Sequence, residues 1–231
     1  IMVAMGFSEV ITYSFMNQKH YDLLQLPGDD YRRQSVKIMN PFSDEQGVVR
    51  TTVLPGVLAT AARNMNRRNL NLSLFELASG YIPTDREKLP LEKPLLTAVV
   101  SGAFSKGWNG EKVVKDFYYL KGVVENLFSL LRIDGLSVGT EKIEPFLHPG
   151  RSCSLLLDGE VIGYLGELHP TVAQNYDLPQ KAVVFELALD TLISLAEKEI
   201  VYEAISKFPA VEIDLAFVAD PGGVIQYVNR N

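Results

Sequence analysis

The chain has 231 residues, of which 47% are hydrophobic and 22% are charged, and its formal net charge is −6. This composition is that of a folded globular protein and excludes a disordered chain. The length fits one large domain better than two. The longest apolar runs have the length of strands, which excludes a membrane-spanning helix. The acidic balance argues against nucleic-acid binding over the whole surface, because phosphate neutralisation needs a basic footprint.

The residues most often used by catalytic and metal sites are sparse in this chain. Cys153 is the single cysteine, which excludes an internal disulfide and is typical of a reducing, cytoplasmic compartment. It lies in an apolar run, where we expect the thiol to pack in the core as a small apolar group rather than to act as a nucleophile. His20, His148 and His169 do not have metal-ligand spacing, so no metal site is predicted. The chain starts at Ile1 without an initiator methionine, and we expect it to be a piece of a longer protein.

The first half of the chain predicts strands with two helices between them. Strands are expected where β-branched and aromatic residues gather, and helices where a capping residue or a first-turn proline precedes a helix-prone run. The expected elements are strands at 9–15, 35–39, 72–82 and 95–103, and helices at 17–24 and 55–66. Pro90 and Pro94 predict a surface connection before the strand at 95–103.

The second half begins with the clearest amphipathic helix of the chain. Asp116 is a good N-cap, and apolar residues follow it at helical spacing. They are Leu120, Val123, Val124, Leu127, Leu130 and Leu131. Asp158-Gly159, between apolar runs at 152–157 and 161–168, is a strong hairpin signal.

A strand at 182–189 and a helical turn at 191–196 complete the predicted elements. Several strands with hairpins and a few helices predict an α+β fold, in which helices pack on a largely antiparallel sheet.

Two groups of residues allow both a functional and a structural interpretation. Arg63, Arg67 and Arg68 could form a local basic patch that contacts nucleic acid, but cations near a helix C-terminus also complement its dipole, and we favour that role. Arg50 and Glu76 could form a charge pair in a cleft, or a structural ion pair between neighbouring elements. Trp108 could be an exposed aromatic contact, but we expect its loop to fold over the indole.

Three strings of residues, in this order, resemble the beta chain of bacterial phenylalanyl-tRNA synthetase in its synthetase-like core. They are Asp116–Gly122 (DFYYLKG), His148–Ser152 (HPGRS) and Leu165–Pro170 (LGELHP). In addition, Gly6–Thr12 resembles the strand of class II synthetase motif 1. The resemblance implies a class II aminoacyl-tRNA synthetase-like α+β domain, an antiparallel sheet flanked by helices, over residues 1–206.

Residues 207–231 resemble the truncated beginning of a ferredoxin-like anticodon-binding domain. The strand expected at 211–219 would have lost its neighbours, so we predict that it pairs with the main sheet or with another molecule rather than standing free.

Set against the alpha chain of that family, this chain lacks the residues that would bind substrates. Tyr81–Asp85 holds no arginine where one for the ATP α-phosphate would stand. Ala98 and Ser101 replace residues that reach the substrates. The string Phe185–Leu192 resembles a decayed motif 3. In it, Glu186 stands where a glycine would, and Thr191 stands where the adenine-stacking arginine would.

These positions, with Arg50 and Glu76, are therefore expected to form a pseudo-active site. Adenylate formation needs cations to stabilise phosphate charge, and a pocket with a carboxylate at its floor and no arginine does not supply them. The resemblance thus implies a catalytically inert domain that binds no cofactor, whereas the parent ligase uses ATP and Mg²⁺.

In that parent heterotetramer the domain would pack against the alpha chain and support aminoacylation of tRNA(Phe). Without the alpha chain, we expect an exposed apolar patch and self-association. Two alternatives remain open: a stand-alone enzyme that uses Arg50 and Glu76 in a residual cleft, and a paralogous interaction module outside translation.

Overall fold

The computed structural model describes residues 1–84, 89–106, 108, 110–140, 142–196, 207, 208 and 214. The strands are β1 (Ser8–Glu9), β2 (Phe15–Met16), β3 (Val48–Val49), β4 (Leu72–Ile82), β5 (Leu91–Ser101), β6 (Ala103–Lys106), β7 (Glu111–Val114), β8 (Leu136–Gly139), β9 (Leu147–Leu157), β10 (Glu160–Leu168) and β11 (Ala182–Ala188). The α-helices are α1 (Lys19–Leu23), α2 (Leu54–Asn66), α3 (Phe117–Leu131), α4 (Pro170–Asn175) and α5 (Leu189–Leu195). Short 3-10 turns lie at Met2–Met5, Tyr31–Arg33 and Asp44–Gln46.

The chain divides into two compact units, residues 1–198 and 199–231, and all of these elements lie in the first. The strand expected at 211–219 lies outside the described residues, except for Asp214. None of the described helices is both long and apolar enough to cross a membrane.

A seven-stranded sheet forms the centre of the first unit, in the order β1-β4-β5-β11-β10-β9-β8. Its neighbours are antiparallel except for β1, which runs parallel to β4. The hairpin from β9 to β10 turns at Asp158 and Gly159, whose φ angles are 50° and 84°. A two-residue turn with positive φ at both positions suits the twist of an antiparallel pair, which confirms the predicted hairpin.

Helices cover both faces of this sheet and create two apolar layers. On one face, Val57 and Leu58 of α2 belong to the same buried cluster as Val99 and Val184 of the sheet. On the other face, Leu120 and Val124 of α3 share a cluster with sheet residues that include Phe185. Neighbouring strand residues such as Val184 and Phe185 point to opposite faces, so both faces of β11 are buried and the strand is apolar except at Glu186.

The long helix α3 follows the prediction closely. The Oδ1 atom of Asp116 accepts a hydrogen bond of 2.9 Å from the backbone N–H of Tyr119, which confirms the N-cap. Leu120 and Leu127 are buried, but Leu130 is 56% exposed. Leu130 lies at the edge of the apolar stripe, and Phe128 is buried instead.

Three predictions about strands were wrong. Within 9–15 only the ends are strand, because the backbone N–H of Thr12 donates to the Glu76 side chain instead of to a neighbouring strand. The strand at 35–39 is reduced to one bridge between Lys37 and Val48. Pro90 lies just before β5, but the rest of the expected connection, including Pro94, is part of this strand. Pro94 pairs with β4, and the pairing of β5 with β11 ends at the next residue, Leu95. A proline is tolerated there because that side of β5 has no ladder to join.

Candidate functional site

A row of polar side chains crosses five strands of the sheet on the face that α2 covers. The register places Glu76 opposite Thr97, Thr97 opposite Glu186, Glu186 opposite Tyr164, and Tyr164 opposite Ser154. Directly opposed residues of neighbouring strands point to the same face. All five are buried. A buried polar row inside an apolar layer needs hydrogen-bond partners. It is therefore the candidate site for binding or catalysis on this sheet.

The β4 end of the row is an ion pair between Arg50 and Glu76. The Nη1 atom of Arg50 lies 3.2 Å from Oε1 of Glu76 and donates to Oγ1 of Thr12 at 2.9 Å. Its Nε atom donates to the carbonyl oxygen of Ser79 at 3.0 Å. Glu76 in turn accepts from the Thr12 hydroxyl at 2.8 Å. Both charged side chains are therefore bound to each other and to neighbouring groups of the protein. This arrangement favours a structural ion pair over a charge pair that is free to act in a cleft.

The middle of the row is the carboxylate of Glu186. It accepts hydrogen bonds from the hydroxyl groups of Thr52, at 3.0 and 3.1 Å, and of Thr97, at 2.7 Å. Burial raises the pKa of Glu186, and these hydrogen bonds oppose the shift because they favour the charged form.

Glu186 lines a cavity of about 280 Å³, together with Arg32, Lys93, Lys142, Glu144 and Tyr164 among others. We call this space the central cavity. The predicted absence of an arginine from the pocket is thus wrong, because Arg32 lines it. However, this guanidinium is already bound by two carboxylates, since its Nη2 atom lies 2.7 Å from an oxygen of Asp30 and 2.7 Å from one of Glu144. Burial alone would lower the pKa of Arg32, but these partners outweigh it and raise the pKa.

The Tyr164 hydroxyl is the unsatisfied group of this site. Tyr164 is 7% exposed, and its hydroxyl oxygen has no hydrogen-bond partner among the residues that the structure describes. Burial raises its pKa, and the nearby carboxylate of Glu186 adds to the shift. The neighbouring Ser154 hydroxyl is satisfied, since it donates to the carbonyl oxygen of Lys142 at 2.5 Å.

The structure brings only part of the predicted pseudo-active site together. Arg50, Glu76 and Glu186 lie on the α2 face of the sheet. Ala98 belongs to the apolar cluster on the opposite face, and Thr191 lies half-buried on α5. The remaining position, Ser101, ends β5 far along the strand, where its hydroxyl donates to the carbonyl oxygen of Lys181.

The predicted basic residues occupy the C-terminal end of α2. Arg63, Arg67 and Arg68 are all exposed. Arg63 also lines a cleft of about 460 Å³ that has Arg50 at its base. Tyr81–Asp85, expected near the site because it lacks an arginine, is described only as far as Thr84.

Sequence reasoning missed Arg32, Asp30 and Glu144, since the arginine lies 112 residues from the glutamate that it contacts. No periodicity or spacing signals a pair so far apart. A local signal did exist for Asp30, which caps the turn that carries Arg32 by accepting from its backbone N–H at 2.9 Å.

The two strings that follow the amphipathic helix lie beside each other on β9 and β10. Arg151 of the first and Glu167 of the second form an ion pair of 2.7 Å. The Nδ1 atoms of His148, in β9, and His169, which caps α4, accept from backbone N–H groups two residues ahead, at 3.0 and 3.3 Å, so both rings bond to their local backbone. Within the described part of the chain, no group of three His, Cys, Asp or Glu side chains could hold a metal ion.

Two further predictions concern the thiol and the tryptophan. Burial raises the pKa of the Cys153 thiol to about 11, which confirms an inert packing role. Trp108 is fully exposed, so the expectation that its own loop covers it was wrong.

The comparisons with known proteins agree on one family. The family model for the phenylalanyl tRNA synthetase beta chain CLM domain matches residues 1–189. The phenylalanine–tRNA ligase beta subunit of Moorella thermoacetica is 44% identical over 93% of this chain and 27% of its own length. The corresponding subunit of Geobacter sulfurreducens is 42% identical over 95% of this chain and 28% of its own length. The chain therefore spans about a quarter of the length of the curated relatives it matches.

Among solved structures, the pyrrolysyl-tRNA synthetase of Desulfitobacterium hafniense has a TM-score of 0.60 at 10% identity, over 83% of this chain and 64% of that one. At this identity the likeness concerns the fold alone, and it agrees with the predicted α+β fold of a class II synthetase. The match of the family model and the identities of about 40% over most of the chain show that it belongs to the family of the phenylalanyl-tRNA synthetase beta chain, with residues 1–189 matching the CLM domain.

Proposed function

We propose that this chain is the catalytically inert, synthetase-like core of a phenylalanine–tRNA ligase beta subunit, which packs on the alpha subunit and supports charging of tRNA(Phe) in the cytoplasm. The observation that carries the proposal is the polar row: its charged groups are two buried carboxylates, Glu76 and Glu186, and the arginine beside it, Arg50, is engaged by Glu76. The ligase reaction with ATP and Mg²⁺ would belong to the whole complex.

The charges of the site oppose a bound triphosphate. Phosphoryl chemistry depends on cations and oriented donors that face the phosphate oxygens. Here Glu186 lines the central cavity, Arg32 is neutralised by Asp30 and Glu144, and Arg50 is neutralised by Glu76. A triphosphate would bring its negative charge next to buried carboxylates, so the residues present do not fit ATP with its Mg²⁺.

The alpha subunit would bind the apolar surface around the 460 Å³ cleft. Ile11 is 93% exposed and Tyr13 is 77% exposed, and both line this cleft with Phe15. We call these three residues the motif 1 patch, because Ile11 lies in the string that resembles motif 1 and the other two follow it directly. Contiguous exposed apolar side chains favour a protein partner, and without that partner they favour self-association.

The patch makes the proposal testable by binding to the alpha subunit. The double variant Ile11→Ser/Tyr13→Ser removes two exposed apolar side chains, and Leu130→Ser removes one on α3 as a matched control. We expect the double variant to weaken alpha-subunit binding at least roughly tenfold, the effect of losing an interface anchor, and the control to bind normally. Titration calorimetry measures the affinities, and light scattering over a dilution series measures self-association. Unchanged affinity in the double variant would overturn this assignment.

The contribution to tRNA binding would come from Arg63, Arg67 and Arg68, which are exposed and accessible to phosphate. Their position at the end of α2 also stabilises the helix dipole, and we favour that role. Replacing Arg67 and Arg68 with Glu tests the contact: a salt-dependent loss of tRNA affinity in the assembled ligase supports it, and unchanged affinity refutes it.

The two alternatives have less support. A stand-alone enzyme would need Arg50 and Glu76 to act on a substrate, but they are bound to each other and to Thr12. A module outside translation is disfavoured by identities near 40% to phenylalanine–tRNA ligase beta subunits over most of the chain.

A further inference from the structure

We propose that the central cavity binds a small zwitterion, with the ammonium group of the ligand at the floor and its acidic group at the rim. The class includes free α-amino acids with short apolar side chains. The inference goes beyond the proposed function, because a domain that packs on a partner does not need a ligand in this cavity.

The floor of the cavity is suited to an ammonium group. Tyr164 presents a buried hydroxyl beside the Glu186 carboxylate, and both line the cavity. The hydroxyl forms no hydrogen bond of ordinary geometry with the described residues, although Glu186 is near enough to interact with it. An N–H donor placed there would satisfy the hydroxyl oxygen and a carboxylate oxygen together. A buried hydroxyl oxygen without a hydrogen-bond donor is unfavourable, so a ligand that satisfies it would recover part of this cost.

The charge balance around the floor also favours a cation. Asp30, Glu144 and Glu186 supply three carboxylates, and Arg32 is the cation enclosed with them. The guanidinium is bound by two of the three, which leaves Glu186 without a cationic partner among the described residues. A ligand ammonium would provide that partner.

The rim has the opposite charge. Lys93 and Lys142 are exposed residues that line the same cavity, and neither forms an ion pair with any residue that the structure describes. The Nζ atom of Lys93 lies 5.5 Å from the centre of the Tyr31 ring, which keeps it near the opening. A carboxylate on the outer end of the ligand would meet two ammonium groups there.

The walls between floor and rim are apolar and limit the size of the ligand. Leu95, Val161 and Ala188 line the cavity, whose volume of about 280 Å³ is near the lower end for small-molecule sites. A branched aliphatic side chain fits this space and chemistry, so L-leucine is a suitable probe.

A ligand series tests the orientation. Binding of leucine to the 231-residue chain is compared with that of 4-methylpentanoate, which lacks the ammonium group, and of leucinamide, which lacks the carboxylate. We expect leucine to bind most tightly, and 4-methylpentanoate to bind at least roughly tenfold more weakly, the effect of losing a hydrogen bond to a charged group. Titration calorimetry and methyl NMR spectra provide the affinities. Equal binding of leucine and 4-methylpentanoate, or no saturable binding of millimolar leucine, would overturn the proposal.

Variants locate the site. Tyr164→Phe should weaken leucine binding roughly 2- to 10-fold, and Glu186→Gln roughly 10- to 100-fold. Tyr176→Phe and Glu167→Gln are matched controls, since each removes a buried polar group outside the cavity, and both should bind leucine as the parent chain does. Thermal unfolding without ligand verifies that each variant is folded. If the controls weaken binding as much as the cavity variants, leucine binds elsewhere and the assignment fails.

Discussion

Gly163 provides the sharpest prediction about how the sheet holds its central row. It lies next to an irregularity in the pairing of β10 with β9, and it pairs with Leu187 of β11. A Cβ atom on Gly163 would lie 2.1 Å from the carbonyl oxygen of Glu186 and 3.0 Å from Cδ2 of Leu187. The oxygen belongs to the backbone of the neighbouring strand, so it cannot rotate away. Gly163→Ala must therefore separate β10 from β11 beside the central cavity.

The expected cost follows from two opposing effects. Overpacking a buried site costs about 1–3 kcal/mol, whereas replacing glycine by alanine stabilises by about 0.4–1 kcal/mol through the unfolded state. The net loss of about 1–2 kcal/mol lowers the Tm by roughly 2–8 °C for a domain of this size. Gly28→Ala is the matched control, because a Cβ atom on Gly28 would have no other atom within 4 Å and the φ of this residue is ordinary. Thermal unfolding compares the two, and a Gly163→Ala variant as stable as Gly28→Ala would refute the close-approach argument.

Three further predictions concern the helix, the ion pair and the thiol. Asp116→Ala should cost about 1 kcal/mol of unfolding free energy and Leu127→Ala about 2–5 kcal/mol; denaturation midpoints in the reverse order would mean that the α3 stripe does not face the core. Arg50→Ala should cost about 3–5 kcal/mol, since it leaves Glu76 buried without its partner, and urea unfolding should show that the double variant with Glu76→Ala loses less than the sum of the two single changes. The pKa of Cys153 is raised to about 11 from 9.0, so folding favours the neutral thiol, and stability should fall as pH rises from 9.0 toward 11. Iodoacetamide near pH 8 should accordingly react with Cys153 only on unfolding, and rapid labelling of the native chain would contradict its burial.

Elements with local signals were predictable from the sequence. Helix α3 has its cap three residues before the backbone N–H that it binds, and the β9–β10 hairpin has both turn residues between its strands. These signals require no knowledge of the rest of the fold. The prediction was wrong where a segment is held by a distant residue. Residues 9–15 satisfy the β-strand pattern, but the backbone N–H of Thr12 donates a hydrogen bond to a side chain 64 residues away.

The candidate site was predictable only in part, for the same reason. The resemblance to a synthetase family drew attention to Arg50, Glu76 and Glu186, and the sheet register aligns the two glutamates on one face. The register also places Ala98 on the opposite face. Side chains alternate along β5, so Ala98 must point away from its neighbour Thr97, which belongs to the polar row. Arg32 was missed because its role depends on Glu144, which the fold brings near from another part of the chain.

The most direct test of the central claim is phenylalanine-dependent exchange of pyrophosphate into ATP. The exchange is measured for the 231-residue chain alone, with the complete ligase as the positive control and a reaction without enzyme as background. A catalytically inert core predicts no exchange above background for the chain, because its two buried arginines, Arg32 and Arg50, are already neutralised by carboxylates. Exchange above background that depends on phenylalanine and is lost in an Arg50→Ala variant would contradict this account and identify the chain as an enzyme in its own right.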